Sequence, residues 1–402
     1  MKNTLWRILF VFASVCIFFT GCSQENREQV YYTADIEPTA NHGWMAGESP
    51  IPERRIGLYR AGVNDECCTV GSSGFYYIDQ PRTSSTYVMY VDNGSDTAIK
   101  LCGRADCTHN NNDCNAYVRN GKMISYYGGY LYVVSGDASV DGFCNLFRIK
   151  PDGTDRMVAL DIHTFAKEQG GDFGQCDLIT EGYCVFSIHR WEIVYENGDE
   201  VEMTSVRTAY YLYMLDGSME EPQKLENNGF LYQCGDVLLS YSNEAKHGGE
   251  YGSYWDWDPE TDSERYLTDH PGVPGWFGPE QAFYFRDGAV RRLTYSTQTE
   301  ETIIATDLEG KYYAFAFPDC IVLASREKKT PDNRLYIYNW NFELVDTVTI
   351  SNPTNESPNR LLIGETAERL ILTDKAGGSP RYYINKSELG TGNVKVHAFV
   401  LP

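Results

Sequence analysis

Residues 121–162 read GKMISYYGGYLYVVSGDASVDGFCNLFRIKPDGTDRMVALDI, and this stretch decides the fold. A run rich in Tyr and Ile at 123–127 stops at Gly128-Gly129. That dipeptide turns a tight hairpin, because glycine accepts positive φ at no steric cost. The return run is 130–135, a third run spans 146–150, Pro151-Asp152-Gly153 makes the next turn, and a fourth run spans 156–160. Four short strands within about forty residues are one blade of a β-propeller.

The third run of this unit, an aromatic and aliphatic core ahead of Asp, Asn or Lys, recurs along the chain. Copies lie at 88–92, 146–150, 212–216, 254–258, 335–339 and 382–385, with a weaker one at 290–295 after the hairpin of Phe283, Phe285 and Asp287-Gly288. The last residues of successive copies are 37 to 66 apart, and the longest gap holds a hairpin of its own, 191–202, turning at Asn197-Gly198-Asp199. Helical periodicity is scarce. A lone blade exposes two apolar faces, and packing blades in a ring covers both while leaving few free edges. The expectation is therefore an all-β chain with a single propeller of seven four-stranded blades over 61–402. Eight blades follow if 31–66 contributes one, and six if the copy near 290 is not a blade. Closure comes either from an N-terminal strand or from 395–400 directly, and the sequence leaves both open.

Ahead of the repeats, Lys2 and Arg7 precede an uncharged run at 8–19 and then Thr20, Gly21 and Cys22. The run is short of the roughly 20 apolar residues that cross a bilayer. Small residues before a cysteine make a lipobox, so 1–21 reads as a cleaved signal peptide and Cys22 as the lipidated residue. Phe19 stands where an aliphatic residue is commoner. Acyl chains hold a protein to a membrane at about 0.8 kcal/mol per buried CH₂. Residues 22–60 then read as a tether and an extended segment, placing the chain on the extracytoplasmic face of the cell membrane. Removing 1–21 takes away two basic residues and no acidic one, leaving 32 Lys and Arg against 56 Asp and Glu, a formal net charge of −24. Such a chain repels nucleic acid, whose binding rests on cation contacts to phosphate.

Three cysteines and a histidine crowd into LCGRADCTHNNNDCNAY, placing Cys102, Cys107, His109 and Cys114 at C-x4-C-x-H-x4-C. Zinc takes three or four Cys and His ligands at tetrahedral positions, and short loops help them converge. The equal alternative is a disulfide from the cluster to Cys67, Cys68 or Cys144, as expected in an oxidising compartment. Either role is structural. The spacing resembles that of a zinc knuckle without matching it.

The lipobox, the cysteine segment and the LFRIKPDGT run at 146–154 together resemble a group of uncharacterised propeller lipoproteins from Gram-positive gut-type bacteria. The resemblance implies a cell-surface lipoprotein with a propeller-like domain, and it supplies no catalytic residue.

No nucleophile elbow, paired zinc histidines or phosphate loop is present, and the seven histidines are scattered. YGSYWDWD at 251–258 is the one candidate ligand platform, with Trp255 and Trp257 to stack on a sugar ring and Asp256 and Asp258 to accept its hydroxyls. The competing and favoured reading buries the Trp side of this strand between blades. The sequence thus points to a non-catalytic propeller that binds a protein or glycan. Its rivals are a polysaccharide hydrolase or lyase with carboxylates in the central funnel, and an envelope assembly or sensor lipoprotein.

Overall fold

The structure, a computed structural model, describes Tyr32–Thr33 and residues 67–402, apart from 72, 80–84, 110–112, 181, 197–198, 227–229, 235–236, 243–245, 247–251, 260, 270–272, 326–333, 351–361 and 374–378. Cys22, and all of residues 1–60 apart from Tyr32–Thr33, therefore lie outside the described residues. Among those described, no helix is long and apolar enough to cross a membrane.

Seven antiparallel blades follow one another along the chain, each built from consecutive strands. Blade 1 comprises Cys68–Val70, Gly74–Asp79, Thr86–Asp92 and Ala98–Lys100. Blade 2 comprises Gly121–Tyr127, Tyr130–Ser135, Asn145–Ile149 and Met157–Asp161. Blade 3 is Phe173–Ile179, Tyr183–Glu196, Asp199–Met214 and Gln223–Leu225, and blade 4 is Phe230–Cys234, Val237–Ser242, Ser253–Asp258 and Ser263–Asp269. Blade 5 is Val273–Phe277, Gln281–Arg286, Ala289–Thr294 and Thr299–Ala305. Blade 6 is Tyr312–Ala316, Ile321–Ser325, Arg334–Tyr338 and Leu344–Thr349. Blade 7 is Leu362–Glu365, Arg369–Thr373, Pro380–Asn385 and Lys395–Ala398, with Tyr32–Thr33 added outside Lys395–Ala398 as a fifth strand. Every third-strand copy read from the sequence falls on the third strand of its own blade.

Local chemistry explains the hairpins. Gly128 and Gly129 both take positive φ, 57° and 83°, and Tyr127 pairs with Tyr130 across them. Asp287 and Gly288 do the same, at 51° and 70°, between Arg286 and Ala289. Side chains alternate across each strand, and here both faces are apolar. In blade 1, Tyr76, Ile78 and Val88 pack toward blade 2, while Phe75, Tyr77, Met89 and Val91 pack toward blade 7. In blade 5, Phe283, Phe285 and Val290 join blade 6, while Ala282, Tyr284 and Leu293 join blade 4. The first strands of blades 1 to 6 meet in succession around the ring. Blades 5 and 6 approach so closely that a Cβ on Gly275 would stand 2.0 Å from the Ala314 carbonyl oxygen.

Among the described residues, two short α-helices decorate the loops, Ala138–Asp141 and Ile162–Glu168. Asp161 caps the second by accepting the Thr164 N–H, and Ile162 and Ala166 are buried in the interface of blades 2 and 3.

Both routes to closure left open by the sequence are used. Lys395–Ala398 is the fourth strand of blade 7, and the N-terminal Tyr32–Thr33 extends it. The next residues reach blade 1: Ala98 N–H donates to the Val400 carbonyl and Val400 N–H to that of Asp96, a parallel bridge of Thr97 with Val400. Arg369 Nη1 donates to Ser95 O at 2.6 Å, Ser379 Oγ to Ile78 O at 3.2 Å, and Arg381 pairs with Asp79 at 3.4 Å. Phe399 packs on Phe75 and Tyr383 across the seam, with centroids 5.4 and 4.7 Å apart. Truncating a buried Phe costs about 3–5 kcal/mol. Phe399→Ala is therefore expected to lower unfolding stability by about that amount and to loosen blades 1 and 7 first; an unchanged denaturation midpoint would refute the seam.

Candidate functional site

The cysteine cluster sits on an excursion inside the outermost strand of blade 1. Lys100 pairs with Met89 and Tyr117 pairs with Tyr87, both on Thr86–Asp92, so residues 101–116 leave and rejoin the same edge. Val88 holds both ends. Its carbonyl accepts the Leu101 N–H at 2.9 Å, and its own N–H donates to Ala116 O at 2.7 Å. Thr86 Oγ1 donates to Val118 O and accepts the Gly121 N–H, fixing the way out into blade 2. The loop also rests on the outer turn of blade 2, where Gly103 N–H and Asn115 Nδ2 both donate to Gly153 O.

On this loop Cys102, Cys107, His109 and Cys114 bring their ligand atoms within 4.8 Å of one another. Cys114 is fully buried and the other three are half-buried. None of the three cysteines is bonded to another cysteine, and neither is Cys144. His109 holds a left-handed φ of 54°, uncommon outside glycine, and turns Nδ1 to within 3.3 Å of Cys114 Sγ. Each sulfur receives the backbone N–H two residues on: Arg104 to Cys102, His109 to Cys107 at 3.4 Å, and Ala116 to Cys114. Asn115 adds a second to Cys102 and Tyr117 a second to Cys114. Hydrogen bonds to the charged form favour a thiolate. Burial opposes this at Cys102, but those N–H groups and the neighbouring thiols outweigh it, so its pKa is lowered. At Cys114 burial and the Cys107 and Cys102 side chains prevail, and its pKa is pushed up to about 11. Arg156, half-buried over the Phe147 ring, donates from Nη1 to Cys114 O at 3.1 Å and Tyr117 O at 2.6 Å. Its positive charge acts directly on Cys114.

The four residues of the aromatic strand do not converge. Trp257 is buried at the interface of blades 3 and 4, with Nε1 donating to Asp262 at 2.8 Å. Trp255 shares that face but is half-buried, edge-on to Tyr266, with Lys246 Nζ 4.8 Å from its ring. Asp256 and Asp258 lie on the opposite face. Asp256 pairs with Arg265 at 2.7 Å, and the exposed Asp258 accepts Thr261 Oγ1.

Two features go beyond what was read from the sequence. In blade 3, Tyr183–Glu196 and Asp199–Met214 run far beyond their neighbours: the first strand pairs only up to His189, and the fourth pairs only with 210–212. Beyond Trp191 and as far as Arg207, the two form a two-stranded ribbon. The hairpin expected at 191–202 as a separate unit is thus the far end of the blade itself, because continuous pairing carries the two strands beyond the first and fourth. At its root a bulge makes Asp177 the extra residue between Cys176 and Leu178, and its carboxylate is bonded by the Ser187 side chain and N–H. Ser187 Oγ lies 2.8 Å from His189 Nε2, and His189 stacks on Phe173. Burial pushes the Asp177 pKa up to about 6 against the Ser187 bonds and the Arg207 charge, and burial with Arg207 lowers that of His189. Between blades 6 and 7, the buried Lys386 Nζ lies 2.5 Å from both Asp319 Oδ2 and Glu365 Oε2. Burial raises Glu365 to about 7 despite that lysine.

The sequence matches no family model and no curated protein. Among solved structures it is similar to the computationally designed Ika8 protein at 10% identity, covering 83% of each chain with a TM-score of 0.40. It is also similar to the β-propeller domain of the Trilobed protease from Pyrococcus furiosus, at 10% identity over 70% of this chain and 83% of that one, TM-score 0.39. A puromycin-hydrolyzing peptidase of Mycobacterium tuberculosis matches at 11% identity over 87% of this chain, which spans 57% of the peptidase, TM-score 0.45. Likenesses at this level say nothing of activity.

An acid whose folded pKa is raised binds more protons folded than unfolded, so its contribution to stability falls as pH rises from its ordinary value to the raised one. For Asp177 that window is about pH 4 to 6. The stability of Asp177→Asn relative to the parent should therefore grow across that window and level off above it. A difference independent of pH would contradict the burial of this carboxylate.

Proposed function

We propose that the chain is a lipid-anchored, extracytoplasmic propeller that binds or scaffolds a partner without catalysis, and that its Cys102, Cys107, His109 and Cys114 centre holds a structural zinc. The convergence of three sulfurs and one imidazole nitrogen within 4.8 Å carries the zinc reading. Donors this close suit Zn–S and Zn–N bonds of about 2.3 and 2.0 Å at tetrahedral angles. Four protein ligands close the coordination sphere, so the metal would supply stability and no substrate position. Three thiolates, a neutral imidazole and Zn²⁺ sum to −1, which Arg156 offsets. The ion would hold the excursion of blade 1 in the shape that rests on the outer turn of blade 2.

The blade 3 ribbon supports the binding reading. Trp191, Ile193, Val194, Met203 and Val206, five of the ten large apolar residues exposed in the described chain, lie along it at 37–57% exposure. Exposed apolar residues gathered in one place mark an interaction surface. Acyl chains on Cys22 would hold that surface at the membrane.

The expected product of mild purification is one zinc per chain by elemental analysis. Stripping the ion with a strong chelator should lower the melting temperature by several degrees, and Cys107→Ser should lose the metal and the chelator effect together. In the producing cell, Cys22→Ser should abolish incorporation of labelled fatty acid and move the protein from the detergent phase to the aqueous phase. Purified protein without metal and insensitive to chelator would refute the zinc centre, and unchanged labelling of Cys22→Ser would refute the anchor.

A further inference from the structure

We infer that the blade 3 ribbon is a docking edge for an extended segment of a partner protein that alternates basic and apolar residues, added as a strand beside Asp199–Met214. The inference rests on the binding reading above and names the partner's chemistry.

The first observation is an open edge. From 199 to 207 the third strand pairs on one side with the second strand, and among the described residues no other strand takes its outer side. The opposite edge is guarded at its root, where Trp191 N–H donates to Asp172 Oδ2 at 2.7 Å and Arg190 Nη2 to Gly170 O at 3.0 Å. An unpaired edge offers a row of N–H and C=O groups, and an extended peptide that joins it satisfies both chains.

The second observation is the division of the two faces. The register sets Trp191 opposite Ser205 and Ile193 opposite Met203, so Trp191, Ile193 and Met203 lie on one face. Glu192 stands opposite Thr204, which puts its carboxylate on the other face, beside Val194 and Val206. A strand laid along the edge presents alternate side chains to these two faces. Apolar residues would cover the Trp191, Ile193 and Met203 side, and basic ones would meet Glu192.

The third observation is charge. Residues 190–207 contain Glu192, Glu196, Asp199, Glu200 and Glu202 against Arg190 and Arg207. A second copy of the ribbon would bring this acidic tip against itself, and an anionic lipid surface would repel it. A cationic strand is attracted, and opposite charges across an interface set partner choice and on-rate.

The test is fluorescence anisotropy of two labelled eight-residue peptides, one alternating Lys and Val and one alternating Glu and Val, titrated with the full chain in mild detergent. The Lys–Val peptide should bind at least tenfold more tightly than the Glu–Val peptide. The double variant Ile193→Asp with Met203→Asp should lose that binding while keeping its melting temperature, since both side chains are exposed. Glu192→Lys should weaken binding of the Lys–Val peptide and strengthen that of the Glu–Val peptide, a result that misfolding cannot produce. Equal binding of both peptides, or none at millimolar concentration, would overturn the inference. So would a dimer of the unmodified chain that Ile193→Asp dissolves, or attachment of the ribbon to lipid vesicles. In any of these cases, retained membrane anchoring together with binding to a glycan array would leave the broader reading of a surface-anchored binding propeller standing.

Discussion

The structure depends on one constraint: no blade has a side that water can cover. Strands such as Phe75 to Ile78, Ala282 to Phe285 and Ile321 to Ala324 are buried on both faces, so every blade is stable only between two others. Six apolar clusters fill the seven interfaces, one of them running through blade 6 to both of its neighbours, and six of the interfaces join blades that follow each other in sequence. The seventh, between blades 7 and 1, joins segments some 300 residues apart, as in the bond of Ser379 to Ile78 O. It combines aromatic packing, an ion pair and backbone pairing through Val400. Long-range closure of this kind forms late and is costly in chain entropy, which explains why the seam carries so many kinds of contact.

Where the ring makes no demand, the chain has room for insertions, and both functional candidates are insertions. The cysteine loop interrupts an outermost strand and returns to the same residue, Val88, so blade 1 keeps its sheet. The ribbon lengthens the second and third strands of blade 3 beyond its first and fourth, leaving the pairing of 173–179 with 184–189 intact. Function on a rigid scaffold commonly lies in such segments. In each case the root is polar and anchored, by Arg156 at the loop and by Asp177, Ser187 and His189 at the ribbon.

The parts of the fold legible in the sequence are those set by local chemistry. Gly128-Gly129 and Asp287-Gly288 announce their turns, and the third strands show because a buried central strand ends in a polar turn residue. The density of Cys and His made the cluster visible, and the Trp-Asp alternation showed which side chains share a face. What stayed hidden depends on register and distant partners. The clamp of Leu101 and Ala116 on Val88 follows from pairing across the sheet. The bulge that turns Asp177 inward has no residue signature. The ribbon at 191–202 looked like a separate hairpin because alternation cannot tell a continuing strand from a new one. Lys386 in the seam of blades 6 and 7 is invisible to any rule that places lysine outside.

The most direct test of the central claim is amide hydrogen exchange on a chain ending at residue 361, which lacks blade 7, compared with the full chain. If blades survive only when the ring is closed, the Gly74–Asp79 strand of blade 1 and the Ile321–Ser325 strand of blade 6 should lose their slow exchange, and the cooperative unfolding transition should disappear. Full protection of blades 1 to 6 in the shortened chain would contradict it.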